Sequence, residues 1–374
     1  MSNAVICAYA RSPFTMANKG DLAKVRPDDI LAQVVKGLLA KTPVNTADIE
    51  DFIVGCAFPE GEQGFNIARM TSLLVGLPIS IAGATVNRWC GSSMEAIHMA
   101  AGRIATGSGE LFLAGGVESM TRVPMGGFNP SPNPTLYENM PNAYVSMGIT
   151  AENLCKQFNI ARKEQEEFSL RSHQKAAKAD LASEIVPITF RTTTVDKDGC
   201  IRADTSLEKM ATLAPAFDAS GTVTAATSSP VTDGASLVIV ASEAYADKNG
   251  LPKLARIKST AVSGLTPEIM GLGPVEASRK ALKRAGLELK DIDIIELNEA
   301  FAAQSLAVIK ELGIDETKLN IDGGAIALGH PLGASGARVT GKAAQLLHKH
   351  GKKYALATLC IGGGMGMATV LEKI

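Results

Sequence analysis

Two stretches of this chain echo each other at one fixed offset, and no other feature constrains the fold as much. Asp48-Ile49-Glu50 leads on to Ala57-Phe58, and Asp291-Ile292-Asp293 leads on to Ala300-Phe301. Each is preceded by an amphipathic helical pattern that opens on Pro, Pro27–Lys41 and Pro274–Ala285. A second echo follows in the same order. Leu111-Phe112-Leu113-Ala114-Gly115-Gly116 answers Leu359-Cys360-Ile361-Gly362-Gly363, each an apolar run ending in glycines. The period is far too long for a solenoid. Two echoes in one order predict a duplication, two copies of a single α/β unit.

The first third alternates in kind. Val5–Ala8, Asp51–Gly55 and Leu111–Ala114 read as strands. Pro27–Lys41, with Ile30, Leu31, Val34, Val35 and Leu38 on one face, and Ile67–Val75 read as helices. Such alternation predicts layers of helix and sheet. The middle breaks the pattern. Met120–Asn142 carries Pro124, Pro130, Pro132, Pro134 and Pro141 with Gly126 and Gly127, which predicts an irregular excursion. Ala161–Leu181 reads as a charged helix, and Gly234–Ala241 returns to a buried strand pattern. The expected fold class is α/β: duplicated, layered α/β/α units with an inserted loop domain. The expected boundaries are an N-terminal unit over 1–117, completed by 222–252, a loop domain over 118–221, and a C-terminal unit over 253–374. Insertions at strand ends often build binding sites.

The chain has 374 residues, long enough to bury a large core without a disulfide or metal staple. Lys plus Arg is 37 against Asp plus Glu 38, so no whole-protein basic field for nucleic acid exists. No apolar run has the length of a membrane span. Met1-Ser2-Asn3 passes straight into Val5-Ile6-Cys7, and Leu371–Ile374 is no lipidation or peroxisomal signal, so no targeting segment is expected. The six cysteines are Cys7, Cys56, Cys90, Cys155, Cys200 and Cys360, with no CxxC pair. That spacing argues against a disulfide scaffold and against zinc, and it predicts free thiols in a reducing, cytoplasmic compartment.

Four positions stand out chemically. Met94, Ile97, Ala101 and Ile104 recur at helical spacing, so a helix is expected to start just after Cys90. A helix dipole contributes about 0.3–1 kcal/mol and at best about 2. It would lower a thiol pKa of about 8.5 by roughly one unit, which leaves work for a base. Taken alone, a buried cysteine at a strand-to-helix turn is the better explanation of Cys90. His330 lies in an apolar, glycine-rich loop, Gly323 to Gly336, that has little use for one imidazole. The other histidines, His98, His173, His348 and His350, fall on helical patterns and read as surface or core residues. Cys360 precedes bare glycine backbone and reads either as an acid/base or as a small core residue. Asn298 follows the strand Ile294–Leu297 and reads either as a water-holding amide or as a helix N-cap. The glycines after Cys360 miss the dinucleotide register, because Met367 falls where the third glycine belongs.

Taken together, these segments resemble the thiolase family. The matching pieces are Asn87-Arg88-Trp89-Cys90-Gly91-Ser92-Ser93, Gly115 to Met120, Met147 to Asn153, Asn298-Glu299-Ala300-Phe301-Ala302, Gly323 to Arg338, and Cys360 to Gly364. They occur in family order and span essentially the whole chain. The resemblance implies that Cys90 takes the acyl group of a 3-ketoacyl-CoA, that His330 activates it, and that Cys360 protonates the departing acetyl-CoA enolate. It implies one oxyanion hole from His330 and a water held by Asn298, and another from the N–H groups of Cys90 and Gly362. Arg202 and Ser229 match positions that contact CoA, and Met147 and Phe301 match acyl-pocket positions. No metal and no permanently bound cofactor is implied; coenzyme A is a substrate.

Departures bear on the substrate. Ser146 stands where short-chain biosynthetic members carry His, and the stretch from Met120 to Met147 is shorter than theirs. Both favour a degradative thiolase of fatty-acid β-oxidation, a homodimer, acting alone or within a β-oxidation complex. Ala214 replaces an Arg common before Pro215-Ala216-Phe217, which bears on a CoA-side contact. The competing readings are a biosynthetic acetyl-CoA acetyltransferase, a decarboxylating condensing enzyme, which Cys360 argues against, and a non-catalytic CoA-binding or docking subunit, which the intact Cys90, His330 and Cys360 argue against.

Overall fold

The computed structural model describes residues 2–374. Its strands are β1 (Ala4–Arg11), β2 (Thr15–Met16), β3 (Asp51–Gly55), β4 (Ala82–Val86), β5 (Leu111–Ser119), β6 (Ile188–Phe190), β7 (Thr193–Val195), β8 (Thr232–Ser242), β9 (Ala255–Gly264), β10 (Ile294–Leu297), β11 (Tyr354–Ile361) and β12 (Met365–Glu372). All but the β6–β7 hairpin belong to one sheet, ordered β4-β3-β5-β8-β1 and then β9-β12-β11-β10, with β2 on β8.

Duplication is visible in that order. Counted along the chain without the two-residue β2, the strands of the first half lie in the order 3-2-4-5-1. The second half has the same order once the parallel bridge between Ile295 and Leu319 is counted as its third strand. Pairing senses match as well. In each half the second strand is parallel to the third and fourth, and the fifth is antiparallel to the fourth and first. The two halves join where Val5 pairs with Arg256 and Ile6 with Ala255.

Side chains alternate across the strands and so define the layers. In β5, Leu111, Leu113 and Val117 pack outward with Leu31, Val34 and Val35 of the helix Pro27–Lys41. Phe112 and Ala114 face inward, onto Met94 and Ile97 of the helix Ser92–Ala105 and Ala337 and Ala344 of the helix Leu332–His350. Those two helices are also covered by Ala355, Ala357 and Leu359 of β11. The far face of the second half packs on the helices Gly273–Ala285 and Ala302–Leu312. The result is helix, sheet, helix, sheet, helix. Strands β1, β3, β5 and β11 are buried on both faces, which is why they read as largely continuous apolar runs.

The two central helices converge at their N-termini, and glycine makes the approach possible. A Cβ on Gly336 would lie 2.4 Å from Met94 N, and one on Gly116 would lie 2.0 Å from Gly333 O. Ser93 Oγ accepts from the Ala337 N–H at 2.8 Å and pins the crossing. These two N-termini carry Cys90 and follow His330. Between β5 and β8 the chain leaves the sheet and builds the helices Pro134–Asn139, Met147–Phe158 and Arg162–Lys178 over the strand ends.

Candidate active site

Cys90 sits in the 3-10 turn Trp89–Gly91 between β4 and the helix Ser92–Ala105. Trp89 has φ +42°, a left-handed conformation that bulky residues avoid. Its neighbours hold it there. Asn87 Oδ1 accepts from the Trp89 N–H at 2.8 Å while Asn87 Nδ2 donates to Ala57 O at 2.9 Å. Ser92 Oγ accepts from the Arg88 N–H at 2.9 Å and donates to Trp89 O at 2.6 Å. Such strain costs roughly 1–3 kcal/mol, persists only where the surroundings over-determine it, and clusters at functional sites.

The expected dipole effect on Cys90 is overwhelmed. Burial pushes the thiol up to about 11, although the backbone N–H groups of Gly362 and of Cys90 itself favour the thiolate; the nearby Glu118 carboxylate adds to the rise. Cys360, the second-last residue of β11, is buried against Ala300 and Phe301, with Met147 packed beside them. Its thiol is pushed far up by burial, with Cys90 adding to the rise, so the two sulfurs share one site. The Trp89–Gly91 turn packs on β11 and on the helix Leu332–His350. The Trp89 ring lies against Gly362 and Gly363.

His330 is 5% exposed, just before that helix. Its Nδ1 lies 2.5 Å from Ser335 Oγ, which donates its proton to Pro331 O at 2.8 Å. The hydroxyl therefore accepts from Nδ1–H, and Nε2 is the bare, basic nitrogen. Asn298 Nδ2 donates to Nε2 at 3.3 Å. Asn298 Oδ1 is buried and has no protein partner, as an amide that holds a water or substrate atom would. The N-cap reading of Asn298 fails, because the next helix starts at Ala302 with Phe301 at its cap. Burial, then the Arg338 charge, lowers the His330 pKa to about 3, so the imidazole is neutral.

Two carboxylates that the sequence reading passed over hold these loops. Glu118 accepts from the N–H groups of Ala57 at 2.7 Å and Gly333 at 2.8 Å, and from Gln63 Nε2 at 2.8 Å. It joins the β3 end to the start of the His330 helix. Glu299 accepts from Ser172 Oγ at 2.6 Å, Asn320 Nδ2 at 2.8 Å and the Ile326 N–H at 3.2 Å, which fixes the loop leading to His330. An acidic residue inside an otherwise apolar strand was the available signal for Glu118.

A cavity of about 380 Å³ opens beside this cluster, lined by Met16, His173, Arg202, Lys209, Ser228 and Ile326 among others. Arg202 stands in its wall. Ser229 adjoins it, its N–H donating to Ala300 O at 3.0 Å, and Ser228 bridges to Phe301. Cys90, His330 and Cys360 lie outside that wall. Ile326 and the Ser228–Phe301 bridge carry the cavity's inner end towards them. Phe301 meets Phe217 edge to face at 5.7 Å. His173, read from the sequence as an ordinary helix residue, faces the cavity. Among the described residues no group of three or more His, Cys, Asp or Glu could hold a metal ion, and no helix is long and apolar enough to cross a membrane.

Residues 4–244 match the thiolase N-terminal domain and 251–373 the thiolase C-terminal domain. The chain is 46% identical to a 3-ketoacyl-CoA thiolase of Bacillus subtilis, over 100% of both chains. It is 49% identical to a 3-ketoacyl-CoA thiolase of Aliivibrio fischeri, again over 100% of both. The crystal structure of the Bacillus anthracis acetyl-CoA acetyltransferase superimposes with a TM-score of 0.92 at 39% identity, covering 100% of this chain and 99% of that one.

Proposed function

The chain belongs to the thiolase family, an acyltransferase family, and from that premise we propose that it cleaves 3-ketoacyl-CoA with CoA to give acyl-CoA and acetyl-CoA. The observation that carries this reading is the packing of the turn that bears Cys90 against the end of β11 that bears Cys360, with the Trp89 ring on Gly362 and Gly363. A site for one acyl transfer needs one thiol; a site that also handles a carbanion needs a second proton carrier.

Cys90 Sγ attacks the 3-keto carbon and its proton passes to His330 Nε2. The bond between C2 and C3 breaks, and the acetyl-CoA enolate takes a proton from Cys360. CoA then attacks the Cys90 thioester, its thiol proton restores Cys360, and the imidazolium returns its proton to Cys90 as acyl-CoA leaves. The oxygen of the tetrahedral centre lies towards one donor set and the enolate oxygen towards the other: the N–H groups of Cys90 and Gly362, and His330 with a water on Asn298. Loss of one such donor typically costs about 10²–10³ in rate. Arg202 and Ser229 bind CoA along the cavity, and Met147 and Phe301 contact the acyl chain beside Cys360.

The same site runs the reverse condensation, and the acetyl-CoA acetyltransferase neighbour keeps that reading in view. The 3-ketoacyl-CoA thiolases matched at higher identity favour cleavage, in β-oxidation. Its setting is the cytoplasm, where six free cysteines remain reduced. The working units are 1–117 with 222–252, the cover 118–221, and 253–374. The partner is a second copy, paired through the edge strand β4, which is flanked by the exposed apolar residues Phe65, Met70, Leu73, Leu74 and Ile79.

The test is intact-protein mass spectrometry with a medium-chain 3-ketoacyl-CoA and no free CoA, followed by two variants. Wild type should carry the medium-chain acyl group on the Cys90 peptide. Cys90→Ala should carry none. Cys360→Ala should still accept an acyl group from a simple acyl-CoA yet fail in condensation. Equal loss of both half-reactions in both variants would defeat the division of roles.

A further inference from the structure

The helix Leu332–His350 is buried along most of its length, yet it carries a polar stripe at helical spacing: Ser335, Arg338 and Lys342. Ser335 holds the His330 ring, and Lys342 pairs with Glu184 and with Asp322, each at 2.8 Å. Arg338, between them, has no part in the chemistry above. Its Nη1 donates to Glu296 Oε2 at 2.8 Å, and neither side chain is more than 1% exposed. Glu296 lies on β10, two residues before Asn298. The Asn298 N–H donates to Thr358 O at 3.0 Å, which carries the strand pairing on past Leu297. Residues two apart on a strand share a face, and residues three apart on a helix are neighbours. Strand and helix are therefore tied by two rungs. One is the contact of Asn298 Nδ2 with His330 Nε2 at 3.3 Å, with Ser335 behind the ring. The other is Glu296 with Arg338.

Stability does not explain the second rung. Desolvating two charges often costs more than their attraction returns, and apolar replacements of similar volume are often neutral or stabilising. Here burial pushes the Glu296 carboxyl up, against the pull of Arg338 and Lys342. Glu296 Oε1 and Arg338 Nη2 are buried without a protein partner, so the pair is only half satisfied. The best-attested use of such buried polar groups is to set register. We propose that the Glu296–Arg338 pair sets the register of β10 against the helix Leu332–His350 and so holds the Asn298 amide on His330 Nε2. Both are positioning residues, and neither touches substrate. The assignment rests on the acyl-transfer reading above.

The test is steady-state thiolysis with CoA varied, in wild type, in Glu296→Leu combined with Arg338→Met, and in Arg338→Lys. The double substitution removes both charges together, so no unpaired charge is left buried. It should keep the wild-type melting temperature and KM for CoA within about twofold, yet lose roughly 10- to 100-fold in kcat, the cost of a small misplacement at the reacting centre. Only Nη1 meets Glu296, so one ammonium can replace it, and Arg338→Lys should keep kcat within about threefold of wild type. A folded double variant with wild-type kcat overturns the proposal. So does an Arg338→Lys variant that melts with wild type but is as slow as the double. Should the double variant not fold, Glu296→Asp takes its place: the shortened carboxylate keeps its charge but not its reach, so kcat should fall with KM unchanged, and an unchanged kcat overturns the proposal. If wild type performs no thiolysis, the functional reading fails separately. Crystal structures of wild type and variant then read the Asn298–His330 contact directly: it should lengthen beyond hydrogen-bond distance in the variant, and an unchanged contact overturns the positioning role.

Discussion

The hydroxyl of Ser335 decides which nitrogen of His330 is basic. Its proton is committed to Pro331 O, so it can only accept from Nδ1–H. Ser335→Ala should lower kcat for thiolysis roughly 10-fold, the worth of an ordinary hydrogen bond, with KM for CoA unchanged. A merely structural role would move melting temperature and both kinetic constants together. The neutral pair also predicts a pH profile. His330 loses its basic form only as pH falls towards about 3, and Cys90 becomes thiolate only as pH rises towards about 11. Cys90 acylation followed by stopped flow should therefore be level from about pH 5.5 to 9, and an acid limb near 6.5 would contradict the buried, neutral imidazole. Residue type and setting alone favour a functional reading only for His330; for Cys90, Cys360 and Asn298 they leave a strong structural reading open, and the resemblance singles those residues out. The part of Ser335 is not legible in the sequence. It depends on which nitrogen of a histidine meets which neighbour, and one-dimensional spacing carries no such information.

At the scale of elements, Glu184 ties three parts of the chain together. It accepts from Arg11 Nε of β1 at 2.6 Å and from Lys342 Nζ of the helix Leu332–His350 at 2.8 Å, itself lying in the excursion between β5 and β8. Arg11 also forms a bidentate pair with Asp198 at 2.6 and 2.7 Å. Burial raises the Glu184 pKa, but Arg11 and Lys342 outweigh it and hold the carboxyl below its ordinary 4.5. Breaking one partner of a buried pair costs about 3–5 kcal/mol, so Glu184→Gln should lose that much in urea denaturation at pH 7. A depressed carboxyl stabilises above its unfolded pKa, so the deficit of the variant should shrink as pH falls below about 4.5. This network joins residues far apart in sequence, and no local pattern announces it. Local pattern did mark Pro27–Lys41, Ile67–Val75, Asp51–Gly55 and Ile294–Leu297, where apolar periodicity ends cleanly. It stopped β5 too early, at Ala114. The glycines there continue the strand, since Gly115 and Gly116 pair with Leu237 and Ser236 and a side chain at Gly116 would strike Gly333. The excursion read as irregular holds a short helix, Pro134–Asn139, capped by Asn133 Oδ1 on the Leu136 N–H.

At the scale of the whole molecule, the proposed dimer is open to a direct test. Phe65 is 90% and Ile79 81% exposed in the monomer, and Leu74, between them in sequence, is half-exposed. Leu74→Glu combined with Ile79→Lys should give monomers by light scattering after size exclusion, where wild type gives dimers. A monomeric wild type would remove this surface from consideration. The two halves of the duplication are not equal in this respect. In the second, the place of a third strand is taken by the single bridge at Leu319, and β10 already meets that segment: the Ile295 N–H donates to Lys318 O at 2.9 Å and the Asn320 N–H to Ile295 O at 2.8 Å. A sheet with two receptive edges could add copies at both ends and grow into a fibre. With β10 already occupied by its own chain, the proposed pairing through β4 would be self-limiting: two copies would meet about a twofold axis and pair their only free regular edge strand.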